Sequence, residues 1–94
     1  MENKVRKELI FHGIVQGVGF RYTAAQEARA LGLTGFVKNQ YDGTVRMEVQ
    51  GRPGDIADLI RSIGLSLYIE ITEVEEKELP LQPKEKHFNI AIGY

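Results

Sequence analysis

Ninety-four residues, 43% of them hydrophobic, suffice for one small domain around one core. No stretch is apolar for long enough to cross a membrane, and residues 1–7 lack the apolar segment of a secretory signal, so the expected setting is the cytoplasm. With no cysteine there is no disulfide framework and no thiolate ligand, and a formal charge of −1 gives no overall attraction to nucleic acid or anionic lipid.

Residues 6–15 predict a first strand, rich in Leu9, Ile10, Phe11, Ile14 and Val15. The run Gly13-Ile14-Val15-Gln16-Gly17-Val18-Gly19-Phe20-Arg21-Tyr22 then carries that strand through a glycine-rich turn into a helical pattern. A strand that ends this way at a helix start presents several unpaired backbone N–H groups, together with the positive end of the helix dipole. That is a local site for an anion the size of phosphate. Arg21 adds a permanent charge whose planar fork can grip two phosphate oxygens.

Residues 22–31 predict a helix with Ala24, Ala28 and Leu31 on one face and Gly32 at a left-handed C-cap. The small alanine face implies close packing against a sheet. Phe36, Val37 and Lys38 read as a short second strand, and Asp42-Gly43 as a tight hairpin. Residues 44–50 alternate, with Val45, Met47 and Val49 on one face. A second helix is expected from near Asp55, an N-cap or first-turn acid, with Ile56, Leu59, Ile60 and Ile63 as its apolar stripe and Gly64 closing it. Two more strands are expected near residues 68–77 and 87–92, the last with Phe88, Ile90 and Ile92 alternating, and a loop over residues 79–84 between them.

Two strand–helix–strand units joined by a hairpin predict an α+β fold, a ferredoxin-like βαββαβ sandwich with an antiparallel sheet and two helices on one face. A single domain over residues 1–94 is expected, since no linker or composition shift divides the chain.

Asn39 closes the second strand, just before the turn Gln40-Tyr41-Asp42-Gly43-Thr44. An uncharged amide there can hold a water. A site with phosphate on Arg21 and water on Asn39 is arranged for hydrolysis.

These residues resemble the acylphosphatases, small ferredoxin-like enzymes that cleave carboxyl–phosphate anhydrides. The resemblance rests on Val15-Gln16-Gly17-Val18-Gly19-Phe20-Arg21, on Leu31-Gly32-Leu33-Thr34-Gly35-Phe36-Val37-Lys38-Asn39, and on Asp42-Gly43-Thr44-Val45, and extends from about Glu8 to the C-terminus. It implies that Arg21 binds phosphate and Asn39 positions water. It implies a phosphate loop of Gln16, Gly17, Val18, Gly19 and Phe20, acting through backbone N–H groups, with Gly43 and Thr44 in a supporting turn. The chain departs from the family at Ile14, often basic in members; at Phe36, commonly tryptophan; and at its terminus, Gly93-Tyr94, without the frequent arginine.

The resemblance implies metal-independent hydrolysis of an acyl phosphate to carboxylate and inorganic phosphate, with no cofactor, no covalent intermediate and no protein base. The expected partners are that substrate and its product, without nucleic acid or membrane, and the expected state is a monomer. Acylphosphatase-like domains also open the large carbamoyltransferases of hydrogenase maturation; the chain's end at Tyr94 favours a free-standing enzyme. Two other readings compete. One is a non-catalytic anion-sensing module, which has no use for Asn39. The other is RNA binding, for which Gly35-Phe36-Val37 weakly resembles an aromatic motif but lacks a basic face.

His12 and His87 fall in strand patterns with no carboxylate or serine partner at a recognisable spacing. Glu70, Glu73, Glu75, Glu76 and Glu78 read as a solvated strand face, a charged edge that discourages edge-to-edge pairing rather than a cation site.

Overall fold

The computed structural model describes residues 3–92, in the order β1 (Val5–Ile14), α1 (Phe20–Ala30), β2 (Thr34–Asn39), β3 (Val45–Gly51), α2 (Pro53–Gly64), β4 (Glu70–Leu79) and β5 (Phe88–Ile90). Period-two alternation decides the faces of the sheet. Leu9 and Phe11 of β1, Val37 of β2, and Val45, Met47 and Val49 of β3 are all fully buried. They form one core with Ala24, Ala25 and Ala28 of α1 and Ile56, Leu59 and Ile63 of α2. The alanines let α1 approach β2 and β5 closely, as their spacing implies.

The strand order is β4-β1-β3-β2-β5. The first four strands pair antiparallel, in the ferredoxin-like arrangement. β5 departs from the antiparallel expectation: it pairs parallel to β2, so the sheet is mixed. The cause is topological. Arg6 pairs with both Leu79 and Gln50, and Gln50 pairs with Thr34, so β4 ends where β2 begins. A chain crossing from there enters β5 in the direction of β2.

That crossing, read from sequence as a loop, runs beneath the open face of the sheet. Arg6 donates to Glu85 at 2.7 Å, and the Gln82 backbone N–H donates to Gln50 Oε1 at 2.8 Å. The same polar face carries Arg6 against Glu48 at 3.0 Å and Arg46 against Glu8 at 2.9 Å. β4 is an edge strand, and its glutamates Glu70, Glu73, Glu75, Glu76 and Glu78 are exposed along it.

Several boundaries move. α1 begins at Phe20 rather than Tyr22, because the Phe20 ring is anchored in the core 4.9 Å from that of Phe11. α2 begins at Pro53, whose fixed φ suits a first helical turn, which makes Asp55 a first-turn acid. Gly64 remains within α2, and Leu65 is the cap. β4 starts at Glu70, two residues after the expected position, leaving Tyr68 in the connection. β5 has three residues, so His87 precedes it and Ile92 lies beyond it, 98% exposed. The expected features at Gly93 and Tyr94 lie outside the described residues.

Candidate active site

Between β1 and α1 the chain makes a loop that only glycine can make comfortably. Gly17 has φ +75° and Gly19 φ +78°, while no described non-glycine residue, Val18 included, has positive φ. A Cβ at either glycine would meet nothing within 4 Å, so backbone conformation rather than crowding requires glycine here. Alternation of this kind folds successive N–H groups around a concavity suited to an anion. Gly19 is also the N-cap of α1, with no side-chain cap and no acid in the first turn. The first intrahelical bond runs from the Thr23 N–H to the Gly19 carbonyl at 3.0 Å, so the N–H groups of Phe20, Arg21 and Tyr22 have no intrahelical acceptor.

Arg21 and Asn39 lie on the walls of one cleft of about 250 Å³ beside these groups. Gly17 and Gly19 line it, and Val15, Phe20, Tyr22 and Ile90 give it an apolar side. Arg21 is the one charged side chain on its lining among the described residues. The salt bridge to Glu27 that would be the ordinary use of such an arginine is not formed. Within the described residues the guanidinium groups of the other five arginines each have a partner, a backbone carbonyl for Arg29 and carboxylates for the rest, and that of Arg21 has none. Asn39 ends β2 opposite Val45 and also borders a neighbouring hollow of about 360 Å³ lined by Lys38, Gln40, Tyr41 and Asp42.

Gln16 does more than the sequence suggests. Its side-chain Nε2 donates to the carbonyls of Gln40 at 2.7 Å and Thr44 at 2.8 Å, fastening the loop to the β2–β3 turn. That turn is wider than the Asp42-Gly43 hairpin signal implies, and Thr44 belongs to it rather than to β3. Thr44 donates from its backbone N–H and from Oγ1 to Asp42 Oδ1, at 3.0 and 2.6 Å, and Gln40 Nε2 donates to Thr44 Oγ1 at 2.9 Å. The hydroxyl and amide of Thr44 hold the Asp42 carboxyl below its ordinary range. Gly43 turns the chain at φ +91°, and its N–H donates to the Gln40 carbonyl at 3.2 Å.

The structure thus gathers Arg21, Asn39 and the glycines of the loop at one cleft, with Gln16 and Thr44 behind them as ties and Phe20 rooted in the core. Sequence reading missed Tyr22 and Ile90 as lining residues and Gln40 and Asp42 as supports. The Asp-Gly signal marked the turn but not what its side chains hold. His12 does have a carboxylate partner: Nε2 meets Glu75 Oε2 across the β1–β4 pair, and with Glu73 the three ligand atoms lie within 4.8 Å of one another. None of these three lines the cleft. His87 offers its carbonyl to the Gly35 N–H at 2.9 Å, a backbone tie.

The arrangement brings backbone amides without intrahelical acceptors and one arginine to a single cleft on an α+β scaffold. A family model described as Acylphosphatase matches residues 7–90. An acylphosphatase of Geobacillus thermodenitrificans is 38% identical over 89 residues, 94% of this chain and 95% of that protein. The crystal structure of acylphosphatase from Bacillus subtilis superposes with a TM-score of 0.84 at 30% identity, covering 93% of this chain and 98% of that one. Full-length HypF, solved in a phosphate- and nucleotide-bound form, matches with a TM-score of 0.84 at 31% identity over 99% of this chain and 12% of its own. The chain belongs to the acylphosphatase family.

Proposed function

We propose that this chain hydrolyses the carboxyl–phosphate bond of acyl phosphates without a metal, with Arg21 and the loop amides binding phosphate and Asn39 orienting the attacking water. The observation that carries the reading is the shared cleft: Arg21 and Asn39 line one hollow together with Gly17 and Gly19. The family supports the substrate class.

The chemistry suits so few groups. The leaving group is a carboxylate, stable as it departs, so no strong general acid is required. Water attacks phosphorus in line, the bond from phosphorus to the bridging oxygen breaks, and the electron pair leaves on the carboxylate. The water's proton passes to a phosphate oxygen of the substrate, which makes a protein base unnecessary. What remains is positioning and charge stabilisation on the equatorial oxygens. Arg21 and the amides of residues 17–20 supply that charge from fixed positions. Asn39 supplies a neutral donor and acceptor, which can orient water without repelling the phosphate. Gln16 and Thr44 act behind them by keeping the loop and the turn at a constant separation.

The test is hydrolysis of benzoyl phosphate with EDTA present, run with Asn39→Ala alongside. Turnover that persists in EDTA and collapses in the variant supports the reading. Phosphate binding without turnover would instead make the chain an anion-sensing module on the same scaffold.

A further inference from the structure

The cleft has a side that phosphate chemistry leaves unused. Tyr22, in the first turn of α1, is 63% exposed, and its Oη accepts a hydrogen bond from Gln26 Nε2 at 2.8 Å. Ile90, the last residue of β5, is 42% exposed and sits in register with Val37, two residues before Asn39. Both line the cleft that holds Arg21 and Asn39. An aromatic ring and a branched aliphatic side chain thus leave apolar surface open to solvent on the wall of this cleft.

We infer that Tyr22 and Ile90 form a subsite for the acyl group, selecting acyl phosphates whose acyl part is aromatic or branched and apolar. The inference rests on the hydrolase reading for its substrate. With phosphate at the loop, the acyl carbon is one bridging oxygen from phosphorus, so the group attached to it must lie along the cleft wall. A phenyl or branched alkyl group covers Tyr22 and Ile90 and removes apolar area from water on both sides. An acetyl or carbamoyl group is too small to cover them. An acyl group with a second carboxylate fares worse, since Arg21 is the one charged side chain on the lining among the described residues and phosphate takes it. The hydrogen bond from Gln26 narrows the ring's freedom before binding and so lowers the cost of ordering it.

The experiment compares two pairs of ligands on the intact chain. One pair is benzoyl and acetyl phosphate, read as the ratio of their kcat/KM values. The other is their non-hydrolysable counterparts phenacylphosphonate and acetonylphosphonate, read as the ratio of their Kd values by calorimetry. The wild type should favour the aromatic member of each pair, and Tyr22→Ser or Ile90→Ser should each cut that preference about fivefold. Tyr22→Phe should keep most of it. A purely structural role for either residue lowers both members of a pair together and leaves the ratio unmoved. An unmoved ratio in both serine variants, or a wild type with no aromatic preference, overturns the subsite. A wild type that prefers phenacylphosphonate but hydrolyses neither acyl phosphate overturns the hydrolase reading and leaves the subsite standing.

Discussion

Gln16 reaches across from the glycine loop and donates from Nε2 to the carbonyl of Thr44, 28 residues further along the chain and 2.8 Å away. The same nitrogen donates to the Gln40 carbonyl, so one side chain sets the separation between the loop beside Arg21 and the turn that follows Asn39. The two halves of the cleft are therefore joined by hydrogen bonds on one nitrogen, and much of the expected behaviour of the site follows from that.

Gln16→Ala should cost about 1–2 kcal/mol of stability, since the carbonyls of Gln40 and Thr44 each lose a side-chain donor and keep a backbone one. Its effect on turnover should exceed its effect on phosphate affinity, because the loop amides persist while their distance to Asn39 becomes variable. Urea unfolding and steady-state kinetics on the same variant check both parts. Equal losses in kcat and phosphate affinity would place Gln16 in the anion site itself.

Arg21→Ala and Asn39→Ala should separate binding from chemistry. Losing the charged fork should weaken inorganic phosphate binding roughly 100-fold, the value of two charge-assisted hydrogen bonds. Losing the amide should lower kcat on the order of 100-fold through a misplaced water. Phosphate affinity of the second variant should stay near that of the wild type. Calorimetry with phosphate, beside initial rates on benzoyl phosphate, reads the contrast. An arginine variant that still binds phosphate normally would mean that the site lies elsewhere.

Gly19→Ala tests the loop by conformation alone. Nothing crowds a Cβ there, but φ +78° is a left-handed conformation that L-alanine occupies at a cost of about 1–2 kcal/mol. The variant should fold, melt at a lower temperature and bind phosphate more weakly, because relieving the strain turns the amides away from their common point. A variant with full phosphate affinity would show that the amide arrangement at Gly19 is immaterial.

His12 carries a pH dependence of opposite sign to that of Asp42. The hydrogen bond to Glu75 raises the His12 pKa above its ordinary 6.5, with Glu73 and Asp42 adding to the field. The stability from this pair is present in full below that ordinary value and is lost as pH rises through the folded-state value. Asp42, held low by Thr44, contributes above its ordinary range and loses that contribution only in acid. The melting-temperature gap between wild type and Glu75→Gln should therefore shrink as pH is raised from about 6. A gap that widens over that interval would reverse the assignment.

What could be read along the chain was the chemistry that neighbours in sequence share. Gly17 and Gly19 announce a backbone that must turn left-handed, and Arg21 follows two residues later, so loop, helix start and charge form one local unit. Asn39 was legible from its position at the end of an apolar strand and from the family resemblance. The partners of Gln16, 24 and 28 residues away, leave no periodic trace. Nor do those of His12, whose Glu75 lies 63 residues on and is brought near by strand pairing. Ile90 looked like one more inward position of an alternating strand, but β5 is a three-residue edge strand, and of Phe88, Ile90 and Ile92 only Phe88 reaches the core.

The amino-acid sequence by itself determined the sheet-and-two-helix architecture, because strand alternation and the helical stripes of Ala24 and Ala28, and of Ile56, Leu59 and Ile63, admit one way of burying their apolar faces. It also determined the left-handed glycine loop before the first helix, whose geometry is a property of consecutive residues. Only the tertiary structure decided that β5 lies parallel to β2, that Gln16 joins the loop to the Thr44 turn, and that Tyr22 and Ile90 share a cleft with Arg21 and Asn39. Those contacts join segments whose separation along the chain is closed by packing, so they exist only once the core has set the distances.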